Sequence, residues 1–201
     1  MHSVRLVHST KGGDDLIAYM ARVSNPANQN NTENSARLIK YLIDHNHWSP
    51  FEMANMCVEI STTRSVSAQI IRHRSFSFQE FSQRYAQVTE KPLMPELRRQ
   101  DTKNRQNSID DLNPSMVDYF DSQIQQLFDQ SNLLYESMLS SGVAKECARE
   151  VLPMASQTKL YMNGTLRSWL HYCQLRCSNG TQYEHRIIAD YCQELIYQCF
   201  P

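Results

Sequence analysis

The chain has 201 residues and a formal net charge of -1, from 20 Lys and Arg against 21 Asp and Glu. This length suits one domain over residues 1–201 with a substantial core, and the charge balance excludes a global attraction to nucleic acid or an anionic membrane. No window approaches the roughly 18 apolar residues of a membrane span, and the N-terminus lacks a signal-peptide pattern. We therefore expect a soluble, cytoplasmic protein whose anion sites are local.

The first predicted elements are a strand in "VRLVHS" and a helix in "DDLIAYMARVS". A second helix, "ENSARLIKYLIDHNH", is predicted to be capped by Thr32 and to end before Pro50. "MCVEISTT" alternates like a strand with Met56, Val58 and Ile60 on one face, and "RSVSAQIIRHR" suits a short helix. The second helix should bury a stripe formed by Ala36, Leu38, Ile39, Leu42 and Ile43.

In the second half, polar residues 92–113 predict a surface excursion. A long helix over residues 115–140 should end at Gly142, followed by a helical segment, "AKECAREVL", that breaks at Pro153. "KLYMNGT" predicts a strand and then a turn, and two helices, "LRSWLHYCQLRC" and "QYEHRIIADYCQELIYQC", close the chain. Helices dominate over a few separated strands, so the predicted fold class is α+β.

The cysteines and histidines give no metal-site pattern. The six cysteines never form C-x-x-C, which favours buried free thiols over a zinc or disulfide framework. His45 and His47 are two residues apart without a partner at zinc-finger spacing, so we predict no metal ligand among them.

The segment "RHRSFSFQEFSQRY", residues 72–85, gathers Arg72, Arg74 and Arg84 around one carboxylate, Glu80. On a continuous helix Arg72 and Arg74 would point about 200° apart. Either the helix ends near Arg72 or the two arginines address different ligands. A solvated basic helix end is the alternative without function.

The predicted helix "LRSWLHYCQLRC" has candidate ligand-binding side chains on two opposite faces. Arg167 and His171 are four residues apart and share a face, whereas Arg176 is nine residues from Arg167 and lies about 180° around the helix. Trp169 and Tyr172 are expected in the core. Arg167 and Arg176 should therefore serve different partners.

The arrangement Arg72-His73-Arg74, seven residues and then Ser82 resembles the signature of the flavin-dependent thymidylate synthases. Further stretches resemble the family in the same order along the chain: "ARVS" at 21–24, "HNHWSPFE" at 45–52, "AREVLP" at 148–153 and "NGTLRSW" at 163–169. Met53 stands where many relatives carry a histidine.

The resemblance implies helices packed on a small, mainly antiparallel sheet and the reductive methylation of dUMP to dTMP for de novo dTMP biosynthesis. It implies 5,10-methylenetetrahydrofolate as the carbon donor, FAD reduced by NADPH, and a homotetramer with active sites shared between chains. Neither nucleic acid nor a membrane is an expected partner.

Around FAD the resemblance implies Ser49, Arg72, His73, Arg74, Glu80, Thr165, Leu166, Arg167 and His171. Around dUMP it implies Gln69, Ile70, Ile71, Arg72, Glu80, Phe81, Ser82, Gln83, Arg84, Arg149 and Arg176. The catalytic residues it implies are Arg176, Ser82 and Arg84.

Two other functions stay open from the sequence. A flavin- or nucleotide-binding reductase would bind the same cofactor without methyl transfer and would need no folate. An RNA-binding module would use the arginines of residues 64–85 with Phe76, Phe78 and Phe81 as stacking groups, although the near-neutral charge counts against it. A thiolate route to dTMP lacks its usual Pro-Cys element, since none of the six cysteines follows a proline.

Overall fold

The computed structural model describes residues 2–201, which form short strands, helices of 4 to 27 residues and three short 3₁₀ turns. The 3₁₀ turns are Pro26–Asn28, Ser49–Met53 and Arg149–Val151. Over the described residues, no helix is both long enough and apolar enough to span a membrane. In chain order, the strands and helices are β1 (Ser3–Ser9), α1 (Gly13–Ala21), α2 (Ser35–Asp44), β2 (Asn55–Thr63), α3 (Arg64–Ile70), β3 (Ser77–Glu80), β4 (Arg99–Gln100), β5 (Ser108–Ile109), α4 (Pro114–Ser140), α5 (Lys145–Ala148), β6 (Gln157–Thr165), α6 (Leu166–Arg176) and α7 (Tyr183–Cys199).

The main sheet has four strands in the order β1-β2-β6-β3, and every neighbouring pair is antiparallel. The two central strands pair along their whole length, from Asn55 opposite Thr165 to Thr63 opposite Gln157. A separate antiparallel pair joins β4 to β5. The predicted α+β fold with a small antiparallel sheet is confirmed.

One face of the sheet forms the core with α6 and α7. Met56, Val58 and Ile60 are fully buried, as their alternation in β2 predicts. Trp169 of α6 is also fully buried, and its indole Nε1 donates a hydrogen bond to the Met56 carbonyl at 2.9 Å. This bond satisfies the polar atom of a core aromatic and fixes α6 across the sheet.

Strand β6 continues through residues at which the sequence predicts a turn. Asn163 pairs with Cys57 on one side and Ser77 on the other, so the predicted turn at Asn163 and Gly164 is wrong. A Cβ added to Gly164 would lie 2.4 Å from the Phe76 Cδ1 atom. Gly164 therefore serves close packing rather than a turn. The sequence also does not predict β3, an edge strand formed by its pairing with β6.

The predicted features of α2 are partly wrong. The helix begins at Ser35 after Asn34, and Thr32 contributes its carbonyl to the Ser35 N–H rather than a side-chain cap. Within the single chain Leu42 is buried, while Ile43 and Ala36 are exposed. The predicted stripe is therefore only partly covered, because one side of α2 faces away from the chain's own core.

Helix α4 is confirmed and carries an exposed apolar face. The Asn113 side chain caps it by accepting from the Ser115 N–H at 2.9 Å, and Gly142 follows its end with a φ of 84°. Only Phe128 and Tyr135 of its 27 residues are buried. Residues 92–113, which precede it, contain no buried residue, in agreement with the predicted surface excursion. The exposed large apolar residues of α4 are Met116, Tyr119, Phe120, Leu127, Leu133 and Leu134.

Candidate functional site

Helix α6 carries a cluster of polar and aromatic side chains at its first turns, here called the N-terminal cluster. Thr165 caps the helix by accepting from the Ser168 N–H. The Glu52 carboxylate accepts a hydrogen bond from the Thr165 hydroxyl and one from the Arg167 guanidinium, both at 2.8 Å. These bonds join the Ser49–Met53 turn to α6, although 115 residues separate Glu52 from Arg167. The cluster consists of Trp48, Ser49, Glu52, Thr165, Arg167 and His171.

The charges and rings of the N-terminal cluster are fixed by mutual contacts. The hydrogen bond from Thr165 and then that from Arg167 lower the pKa of Glu52, so its carboxylate is ionised at neutral pH. The His171 ring meets Trp48 edge to face, with 4.7 Å between ring centroids. Arg167 and His171 thus face the same turn, as their four-residue spacing predicts.

A second cluster, here called the C-terminal cluster, surrounds the other end of α6. Arg176 Nε donates to His73 Nε2 at 2.8 Å, and the His73 ring lies edge-on to Tyr172 at 5.0 Å between centroids. The hydroxyl of Tyr172 lies 3.1 Å from His185 Nε2. Gln69 Oε1 lies 3.4 Å from His185 Nδ1. Arg167 and Arg176 are about 13 Å apart along the helix axis at 1.5 Å per residue, so each has its own surroundings.

His185 and Tyr172 are members of the C-terminal cluster that the sequence reasoning missed as site residues. His185 is fully buried on α7. It shares the helix face of the buried residues Ile188, Ala189 and Cys192. One titratable residue in an otherwise apolar stripe is the sequence signal that could have identified His185.

Burial keeps the histidines of the C-terminal cluster neutral. Desolvation, with the nearby Arg176 charge as the second cause, lowers the pKa of His73 to about 4. Desolvation, then Arg176 and His73, lower the pKa of His185 to about 3. Burial raises the pKa of Tyr172, so its hydroxyl stays protonated. Arg176 is therefore a cation held among neutral groups.

We expect the free energy of unfolding to decrease as the pH falls from 6.5 to 5, because His185 takes up a proton readily only in the unfolded chain. Its pKa rises from about 3 in the folded protein to near 6.5 on unfolding. The stability is present above pH 6.5 and is lost as the pH falls towards the folded pKa. At pH 5 this amounts to about 2 kcal/mol for His185, and His73 adds a contribution that solvent screening reduces because its ring is only half-buried. Urea denaturation at pH 7 and pH 5 measures the loss. His185→Gln should lose less stability than the wild type, and an equal loss would contradict the assignment.

Residues 80–84 form a third group together with α5 and the turn that follows it. The Glu80 carboxylate is anchored by the Ser67 hydroxyl at 2.5 Å, Thr158 at 3.0 Å and Arg64 at 2.7 Å. These bonds hold the end of β3 and fix where the following loop begins. The loop carbonyl of Ser82 closes a turn by accepting from two backbone N–H groups.

The third group presents two accessible arginines. Arg84 Nε lies 3.3 Å from Glu146, and both side chains are more than half exposed. Arg149 Nε lies 3.3 Å from Glu150. Such solvated ion pairs contribute little free energy, so a phosphate can replace the carboxylates at little cost. Gln83 is buried, and its Nε2 has no hydrogen-bond partner among residues 2–201.

The two signature arginines, Arg72 and Arg74, lie beyond the end of helix α3. That helix ends at Ile70, so the first alternative posed by the sequence, a helix end near Arg72, is correct. Arg72 and Arg74 are exposed, and neither forms a salt bridge within the described chain. Both guanidinium groups are therefore available to an anionic ligand.

Some residues implied by the resemblance do not present their side chains to a ligand. Ile70 is fully buried and Leu166 is 4% exposed, both within the hydrophobic core. Their contribution to a site is therefore restricted to the backbone. Ile71 is 43% exposed, and Phe81, a member of the third group, is partly buried.

The cysteines are free thiols, as expected, but not all are buried. Cys147 is exposed, so the expected burial is wrong there, since it lies on the outer side of the four-residue helix α5. Burial raises the pKa of Cys57, Cys173 and Cys192, and it raises the pKa of Cys177 to about 11. These four thiols are poor nucleophiles at neutral pH.

A cavity of about 660 Å³ lies apart from the residues implied by the resemblance, none of which lines it. Its walls include Met94, Tyr183 and Tyr191, and it contains the ion pair between Arg98 and Glu184. The exposed arginines of the signature and of the third group, Arg72, Arg74 and Arg84, lie outside this cavity. The candidate site therefore consists of the three groups and does not include this cavity.

The fold and the three groups define an α+β protein that presents arginines on local turns and at helix ends. The family model described as thymidylate synthase complementing protein matches residues 5–201. The chain belongs to the flavin-dependent thymidylate synthase family, and the resemblance seen in its motifs is confirmed.

The named relatives match nearly the whole chain. A probable flavin-dependent thymidylate synthase of Paramecium bursaria Chlorella virus 1 is 49% identical over 196 residues, 98% of this chain and 91% of its own. The flavin-dependent thymidylate synthase of Synechocystis sp. is 50% identical over 188 residues, 94% of this chain and 86% of its own. A solved structure of the UMP/dUMP methylase PolB from Streptomyces cacaoi, bound with 5-Br dUMP, has a TM-score of 0.89 and 25% identity. That match covers 99% of this chain and 91% of PolB.

Proposed function

We propose that this protein, acting as one domain, converts dUMP to dTMP, with 5,10-methylenetetrahydrofolate as carbon donor and NADPH as reductant through FAD. The observation that carries the proposal is the Arg176 guanidinium, bonded to neutral His73 and forming no salt bridge with a carboxylate in residues 2–201. A cation in this state suits an anionic pyrimidine ring. The names of the relatives and of the PolB structure support the same substrate and cofactor.

The N-terminal cluster and the signature arginines fit FAD. Arg72 and Arg74 offer two exposed cations for its diphosphate, and Trp48 with His171 offers aromatic surface for a ring system. The Glu52 carboxylate fixes the side chain of Arg167 within this cluster. Ser49 and Thr165 add hydroxyl groups. Bound FAD, once reduced by NADPH, would supply the two electrons that turn the transferred methylene into a methyl group.

The third group fits the phosphate of dUMP. Arg84 and Arg149 provide forked donors, and Ser82 provides a hydroxyl beside them. The buried Gln83 Nε2, which lacks a partner among the described residues, is a further donor suited to a ligand or a neighbouring chain. These residues would bind and orient the nucleotide.

Arg176 would act on the pyrimidine. It would stabilise the negative charge that develops when N3 ionises, which makes C5 nucleophilic enough to bond to the methylene carbon. The folate nitrogen then leaves, C5 loses its proton, and two electrons and a proton complete the methyl group. The products are dTMP, tetrahydrofolate and NADP⁺. The raised pKa values of the buried thiols support a route without a cysteine thiolate.

We also propose a homotetramer with active sites shared between chains. The exposed apolar face of α4 supports contact with a second copy, because six large apolar side chains there have no cover within the described chain. Sedimentation velocity measures the assembly, and a monomer at micromolar concentration would contradict it. The cytoplasmic location expected from the sequence stays a prediction.

The test of the proposed function is the visible spectrum of the purified protein before and after dUMP is added. We expect flavin bands that dUMP perturbs, and dTMP formation that requires methylenetetrahydrofolate and NADPH together. NADPH oxidation without any dTMP would favour the reductase. Salt-dependent RNA binding by a protein that retains no flavin would favour the RNA-binding module.

A further inference from the structure

A continuous run of hydrogen bonds leads out of the C-terminal cluster to the ion pair in the 660 Å³ cavity. Tyr172 contacts His185 Nε2 at 3.1 Å, and His185 Nδ1 contacts Gln69 Oε1 at 3.4 Å. Gln69 Nε2 donates to Gln182 Oε1 at 2.5 Å, and Gln182 Nε2 donates to Glu184 Oε2 at 2.8 Å. The run joins α6, α7 and the end of α3.

The Glu184 carboxylate determines which group donates and which accepts at each hydrogen bond of this run. An ionised carboxylate only accepts hydrogen bonds, so the Gln182 amide must turn its NH₂ towards Glu184 and its oxygen towards Gln69. Gln69 must then turn its NH₂ towards Gln182 and its oxygen towards His185. Reversing any one amide would place two acceptors or two donors against each other.

The orientation of the Gln69 amide in turn determines which ring nitrogen of the buried His185 carries the proton. Because Gln69 Oε1 only accepts, His185 must carry its proton on Nδ1, which leaves Nε2 as the acceptor for the Tyr172 hydroxyl. Each contact in the run then pairs a donor with an acceptor. The assignment follows from the carboxylate alone and needs no charge on His185.

Arg98 keeps Glu184 ionised and in place. Its guanidinium donates to Glu184 Oε1, and both side chains are mostly buried, at 14% and 17% exposure. Burial alone would raise the pKa of Glu184, but the hydrogen bonds from Arg98 and Gln182 lower it overall. Arg98 also lies over the Tyr183 ring, 4.8 Å from its centroid.

We infer that Glu184, held by Arg98 outside the candidate site, is a positioning residue that fixes the orientation of the Gln69 amide in the nucleotide site. The inference rests on the proposed function in one respect, that the protein binds dUMP and Gln69 contacts it, as the family resemblance implies. With the amide fixed, Gln69 keeps one N–H and one oxygen lone pair for a ligand. The acceptor oxygens of dUMP then always meet the same end of Gln69. This fixed orientation lowers the entropy cost of binding.

The first experiment determines the tautomer of His185 by ¹⁵N NMR of the histidine-labelled flavoprotein, with the resonance assigned by its loss in His185→Gln. We expect an Nδ1–H tautomer in the wild type. Glu184→Gln removes the obligatory acceptor, so it should give a mixture of tautomers. An Nε2–H tautomer in the wild type would overturn the inference, and this readout stands even if Glu184→Gln does not fold.

The second experiment measures dUMP affinity by titration of the flavin spectrum. Glu184→Gln should weaken dUMP binding about 5- to 10-fold at unchanged flavin content, the equivalent of about 1 kcal/mol. Glu194→Gln is the matched control on the same helix, where Glu194 is exposed, and it should leave both readouts unchanged. Unchanged affinity and tautomer in Glu184→Gln would overturn the inference. If the wild type binds no dUMP, the proposed function fails, whereas the tautomer still decides the direction of the run.

Discussion

Arg176→Ala is expected to lower the rate of dTMP formation by about 30- to 1000-fold while the bound flavin is retained. The variant removes the cation that would stabilise the ionised pyrimidine, a contact stronger in the transition state than in the ground state and worth about 2–4 kcal/mol. Flavin should remain because Arg72, Arg74 and Arg167 belong to other parts of the site. Tritium release from C5-labelled dUMP, measured beside the flavin spectrum, tests both expectations.

Two further variants sharpen this test. Arg176→Lys keeps the charge but loses the planar fork that bonds to His73, so it should recover only part of the rate. Arg105→Ala removes an exposed arginine from the surface excursion and should leave tritium release unchanged. Normal release by flavin-loaded Arg176→Ala would show that this arginine has only a structural role.

Gly164→Ala is expected to destabilise the fold by about 1–3 kcal/mol and to reduce flavin content. The new methyl carbon would lie 2.4 Å from Phe76 Cδ1, well inside van der Waals contact. Phe76 cannot withdraw easily because it packs against Trp169, with 4.7 Å between ring centroids. The strain would shift the turn that carries Arg72 and Arg74. Thermal unfolding and the ratio of flavin to protein absorbance measure the two effects.

Gly180→Ala is the matched control for this substitution. A Cβ at Gly180 meets only Gln106 Oε1, at an ordinary 3.5 Å. Its melting temperature and flavin content should equal those of the wild type. If Gly164→Ala also matched the wild type, close packing against Phe76 would not be the reason for glycine at this position.

The sequence by itself determined the elements whose signals are local. Alternation placed Met56, Val58 and Ile60 on the buried face of β2, and Gly142 marked the end of α4. Such features depend on side-chain periodicity and on capping within a few residues. The order of the family motifs was also readable, because each motif is short and contiguous.

Only the tertiary structure decided the features that depend on residues far apart in the sequence, such as strand pairing, close packing and side-chain contacts. Strand β3 exists because it pairs with β6, and Gly164, which reads locally as a turn residue, is a site of close packing under Phe76. His73 meets Arg176 across 103 residues of sequence. The spacing of residues along one helix fixes the directions of their side chains, but not which distant groups face them.

The hydrogen bonds from Tyr172 to Glu184 show most clearly which properties the local sequence indicates and which depend on the tertiary structure. Sequence periodicity can place His185 on the buried face of α7, yet its tautomer follows from an amide on α3 and a carboxylate beside Arg98. Tyr172 and His185 are buried, so protein neighbours rather than water set the direction of the hydrogen bond between them, whereas the exposed Gln182 takes its orientation from the Glu184 carboxylate. Residues far apart in the sequence therefore determine the chemistry of a residue whose own position the local sequence already indicates.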